Sequence, residues 1–98
     1  MKIKTKSGFE CNINERRLTD WRYIKAAAKM NEGNESEVAV QLAFAVPFLL
    51  EEEGEKALME FIEDKNGIID SNRLIAEFIE ITQIAGEKVK KSQSSLSS

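Results

Sequence analysis

Between Val38 and Leu50 the chain has thirteen residues, and only Gln41 among them carries a polar side chain. At about 100° per residue, Val38, Leu42, Val46 and Leu49 form one stripe, and Val40, Phe44 and Phe48 form a second on nearly the opposite side. A helix that is apolar all round has to be covered all round. The run is too short to cross a bilayer, which takes about 20 residues. Two readings follow. Either the hairpin and helices of this chain enclose the whole segment, or the stripe Val40, Phe44, Phe48 stays open for another copy or a client helix. Pro47 lacks an N–H and crowds the carbonyl four residues back, so a kink or break is expected there.

The rest of the 98 residues must supply that cover. Ile3, Thr5, Phe9, Cys11 and Ile13 alternate with polar neighbours around Lys6-Ser7-Gly8, which reads as a β-hairpin over residues 2–13. Such a hairpin is marginal alone, so its apolar face must lie on helices. Asn14 and Thr19-Asp20 carry helix-start chemistry, and a helix is expected over about 19–31. Its core face is read as Trp21, Ile24 and Ala28 with Ala27 and Leu18, and Gly33-Asn34 supply a left-handed exit. Further helices are expected at about 36–50, 52–64 and 71–90. The 52–64 helix buries Leu58, Phe61 and Ile62, Ile68 and Ile69 cross the core, and Asp70-Ser71 cap the last helix. That helix carries the stripe Leu74, Ile75, Phe78, Ile81, Ala85 and Val89. The fold class is therefore α+β, mainly α: a hairpin packed on about four helices, one domain over 1–91, and a disordered serine-rich tail at 92–98.

Several chemistries are excluded by residue type. There is no histidine, so histidine base catalysis and histidine-ligated metal sites are out. Cys11 is the only cysteine, which rules out an intrachain disulfide and suits a reducing compartment. The start, Met1 to Lys6, lacks the apolar stretch of a signal peptide. Net charge is −3, giving no global case for nucleic-acid binding, and no membrane association is expected. The charge is unevenly placed: +5 over 1–31, −9 over 32–64 and +1 over 65–98. Glutamates from Glu51 to Glu63 make either a solvated face or a surface that steers basic partners.

Two look-alikes fail in detail. Asp64-Lys65-Asn66-Gly67-Ile68-Ile69-Asp70 resembles an EF-hand centre. With Gly67 at the sixth loop position, the first is Ile62 and the twelfth Arg73, where carboxylates are required. Asp70-Ser71 resembles the attachment site of acyl carrier proteins, but Asn72-Arg73 replaces the expected leucine and acid, and the 27 residues after Ser71 are too few for two more helices. No nucleophile, base and orienting group can be assembled. The expectation is no enzyme, no cofactor and no metal.

The order of parts resembles the tail assembly chaperones of long-tailed bacteriophages and prophages. It runs from the basic hairpin through Leu18-Thr19-Asp20-Trp21, Leu49-Leu50-Glu51-Glu52-Glu53-Gly54 and Lys56-Ala57-Leu58 to Asp64–Ile69 and Ile84-Ala85-Gly86-Glu87-Lys88. The similarity covers about residues 1–90; Pro47 departs from it. The resemblance implies a protein of the host cytoplasm, absent from the finished virion. It implies binding to the tape measure protein, which it keeps soluble, and recruitment of tail tube protein subunits. A homo-oligomer is compatible with it. On the residues alone, Val40, Phe44 and Phe48 are the candidate partner-binding stripe. The resemblance also implies a longer frameshifted product, and Lys90-Lys91 is the candidate place, since paired lysine codons are A-rich and can form a slippery run. A different interaction module, an adaptor or inhibitor, is the other reading, and an acyl-carrier-like protein a third.

Overall fold

The computed structural model describes the backbone of residues 1–97 and the side chains of residues 1–90. It has a two-stranded antiparallel hairpin followed by helices. Strand β1 is Lys2–Lys4 and strand β2 is Glu10–Asn12, with Ile3 opposite Cys11. A 3-10 turn, Glu15–Thr19, leads into helix α1, Trp21–Glu32. Asn14 and Asp20 start these two elements, their side chains accepting the backbone N–H of Arg16 and Arg22. Helix α2 is Glu35–Ile62 and helix α3 is Ser71–Ser97. The fold is thus α+β and mainly α.

The core joins every element. The hairpin contributes Ile3, Phe9 and Ile13, α1 contributes Tyr23 and Ala26, and α3 contributes Phe78, Ile81 and Ala85. Helix α2 supplies Leu42, Ala45, Val46, Leu49, Leu50, Leu58 and Ile62. Polar contacts fasten the hairpin to α3. The buried Thr5 hydroxyl donates to Glu77 at 2.5 Å and accepts the Phe9 N–H at 3.1 Å. The Lys6 N–H meets Glu80, and the Lys88 ammonium donates to the Lys2 carbonyl at 2.6 Å.

The break in the apolar segment is not at Pro47. Helix α2 passes through Pro47 and turns at Glu51, whose φ of 64° and ψ of 177° are not helical. The break thus falls between the helices expected at 36–50 and 52–64, which are the two arms of α2 meeting at Glu51. The carbonyl that Pro47 cannot serve belongs to Ala43, an exposed position where water can take it. The turn at Glu51 instead frees carbonyls of the preceding turn, and Arg17 Nη1 donates to one of them, Phe48 C=O, at 2.6 Å. Gly54 lies against Leu50 across the break: a Cβ there would come within 2.8 Å of the Leu50 Cβ.

Other expectations are corrected in the same way. Helix α1 buries Tyr23 and Ala26 and half-buries Ala27 and Met30, leaving Trp21, Ile24 and Ala28 exposed. Both faces of α1 carry apolar residues, and the one that packs on α2 is the face of Tyr23, Ala26, Ala27 and Met30. Gly33 leaves α1 extended, at φ −88°, rather than left-handed. Its lack of a side chain matters for close approach, since a Cβ would stand 2.6 Å from the Glu37 Cβ. Ile68 and Ile69 are exposed and do not cross the core, because the Asp64 carboxylate folds the loop back on itself by accepting the N–H groups of Asn66 and Ile68. Phe61 is largely at the surface, though its ring lies 5.3 Å from that of Phe9. The α3 backbone stays helical through Ser97, past the end expected near Lys90, and no glycine or proline follows Gly86 within it. Of the 92–98 segment expected to be disordered, the backbone through Ser97 continues α3, and the side chains and Ser98 lie outside the described residues.

The Glu51 backbone lies in a region open essentially to glycine, at a cost of about 1–3 kcal/mol. Glu51→Gly is therefore expected to raise stability by about 1 kcal/mol in denaturant unfolding, after allowing for glycine's greater freedom in the unfolded chain. A loss of stability would show that the Glu51 side chain holds the kink.

Candidate partner-binding surface

The two stripes of the apolar segment have separate fates. Leu42, Val46 and Leu49 enter the core, and Val38 is half-buried against it. Of the second stripe, Val40 is 65% exposed and Phe44 38% exposed, while Phe48 is half-buried against the core. The rings of Phe44 and Phe48 stack with centroids 5.1 Å apart and an interplanar angle of 22°. Val40, Phe44 and Phe48 thus form a ridge one helix turn apart per step, rooted at Phe48 and open at Val40.

Two arginines grip the root of this ridge. Arg17 and Arg22 place their guanidinium carbons 5.2 and 5.1 Å from the centre of the Phe48 ring. Each is held in place by a second contact. Arg17 donates to the Phe48 carbonyl. Arg22 meets Asp20 through two parallel bonds, Nε to Oδ1 at 3.1 Å and Nη2 to Oδ2 at 3.0 Å. Hydrogen bonds from Arg22 hold the Asp20 carboxyl below its ordinary range, and Asp20 pushes the Arg22 guanidinium up. An exposed pair of this kind adds little stability. Its effect here is positional: a planar cation is fixed over an aromatic ring at the end of an apolar ridge.

The hydropathy pattern marked the ridge but not the arginines. The available signal is the density of Arg16, Arg17 and Arg22 around the start of α1. Elsewhere, Cys11 is half-buried in β2, and burial pushes its thiol up to about 11, so it stays protonated at neutral pH and is a poor nucleophile. Among the described residues no three acidic or cysteine side chains are grouped to hold a metal ion. Nor is any helix among them long and apolar enough to cross a membrane.

Trp21 is 69% exposed, so Trp21→Ala is expected to cost less than about 1 kcal/mol in urea unfolding. A core tryptophan would cost about 3–5 kcal/mol, and a loss of that size would mean that the ring packs against the fold in solution. No family model, curated protein or solved structure matches the chain.

Proposed function

We propose that this protein is a tail assembly chaperone of a long-tailed bacteriophage or prophage. It binds the tape measure protein in the host cytoplasm, keeps it soluble and helps recruit tail tube subunits, without entering the virion. One observation carries the reading: an apolar ridge, Val40 and Phe44, lies exposed on a helix whose other side is the core. A stacked aromatic pair extends it to an arginine-clasped base. Exposed apolar residues in a row along one helix suit the apolar face of another helix. A long helical ruler offers many such faces and precipitates if they stay uncovered. The order of hairpin, α1, kinked α2 and α3 supports the assignment, which rests on resemblance for the identity of the partner. A general interaction module, adaptor or inhibitor, would use the same ridge for another helix.

The ridge can be tested without disturbing the core, because Val40 and Phe44 are the exposed members and Phe48 is not. In co-expression with a tape measure protein from the same locus, the unmodified chain is expected to hold the ruler in the soluble fraction and to co-purify with it. Val40→Ser/Phe44→Ser is expected to release it while keeping its helical circular dichroism. Retained co-purification by the folded double variant would move the binding surface elsewhere. Failure of the unmodified chain to bind would overturn the assignment.

A further inference from the structure

The hairpin has an edge that the fold leaves open. Met1 and Ile13 exchange two backbone bonds, each 2.9 Å, and Thr5 N–H donates to Phe9 C=O at 2.9 Å. In an antiparallel ladder this phase turns the N–H and C=O groups of Glu10 and Asn12 away from β1. On β1 the outer edge is taken by α3, where Lys88 reaches the Lys2 carbonyl and Glu80 receives the Lys6 N–H. On β2 no hydrogen bond among the described residues uses the outward groups of Glu10 or Asn12. They open on a cleft of about 700 Å³, lined by Leu50 and Ala57 and by Glu10, Glu51, Glu52 and Glu53.

We propose that this edge is a second binding site, taking an extended segment of a partner protein in which lysine or arginine alternates with apolar residues. The segment adds as a third strand beside β2. The inference does not rest on the reading of the Val40–Phe48 ridge.

Each feature of the occupant follows from the site. Free main-chain donors and acceptors along a strand are met by another extended chain, whereas a helix has already satisfied its own. The cleft carries four carboxylates and no lysine or arginine, so the occupant is cationic. Side chains of an added strand alternate, one set facing Leu50 and Ala57 and the other the glutamates. Strand β1 already presents this pattern to the other edge of β2: Ile3 is buried, Lys2 and Lys4 are exposed, and the Lys2 ammonium lies 4.0 Å from Glu10. A second copy of this chain is a poor occupant. Its own β1 edge is covered by α3, and pairing β2 with β2 would bring two sets of Glu51–Glu53 together.

The test uses the whole chain and a fluorescent, end-blocked peptide of alternating lysine and valine. Saturable binding by anisotropy is expected, weakening with salt, together with about tenfold slower amide exchange at Glu10 and Asn12. A glutamate–valine peptide should not bind. Asn12→Pro removes an outward N–H without touching the β1 ladder and is expected to weaken binding about tenfold. Glu52→Lys/Glu53→Lys should weaken it at least as much. No binding overturns the proposal. So does binding that Asn12→Pro leaves unchanged in a folded chain, which would make the attraction purely ionic. Protection of Glu10 and Asn12 in the unliganded chain, with self-association in sedimentation, would make a second copy the occupant and also overturn it. If Asn12→Pro does not fold, the exchange at Glu10 and Asn12 of the unmodified chain decides alone, and unslowed exchange overturns the proposal.

Discussion

Burial of one side of the first arm of α2 organises the molecule. Leu42, Ala45, Val46, Leu49 and Leu50 form the side that hairpin, α1 and α3 pack against. A chain of 98 residues has limited material for a core, roughly 60–65% of its unfolded surface. It encloses one stripe of this helix and leaves the other to solvent, where Val40 and Phe44 remain. The kink at Glu51 belongs to the same constraint. It brings Leu58 and Ile62 of the second arm onto the core that a straight helix would carry away from it.

Much of this was legible in the residues. Period two in Ile3, Thr5, Phe9 and Ile13 located the hairpin and its buried face, and Asn14, Asp20 and Asp70 start helical segments as their side chains require. The two stripes on α2 were equally plain, although periodicity cannot say which one a small fold will cover. Helix α1 shows why. Tyr23, Ala26, Ala27 and Met30 make an apolar face as coherent as Trp21, Ile24 and Ala28, and nothing in the spacing ranks one above the other. Rotation of a helix about its axis is set by what it packs on, which local pattern does not contain. Pro47 misled for a related reason: a proline's missing bond costs little where its carbonyl partner faces water, and the break moved to where tertiary packing needed it.

The arginine clasp and the open strand edge were not legible, because each joins groups far apart in the chain. Arg17 and Phe48 are 31 positions apart, and β2 and Glu52 meet only after α2 turns. Together they give the uneven charge a spatial meaning. The cationic groups near the ridge come from the basic N-terminal part, and three of the four carboxylates in the cleft, Glu51 to Glu53, from the acidic middle. One small fold thereby offers a cation-rimmed apolar surface and an anion-lined groove, which cannot attract the same partner equally.

The fastening of the hairpin to α3 has a consequence for synthesis on the ribosome. The Thr5–Glu77, Lys6–Glu80 and Lys88–Lys2 contacts span 72, 74 and 86 positions. The hairpin is thus completed by α3, several seconds later at about 5–20 residues per second. Until then the two strands have no helix to shelter Ile3 and Phe9, and a lone hairpin is barely stable. A nascent chain released before α3 is made would present both its future core and its ridge at once. The chain acquires its selective surface only once α3 has been made, in the same step that closes its core.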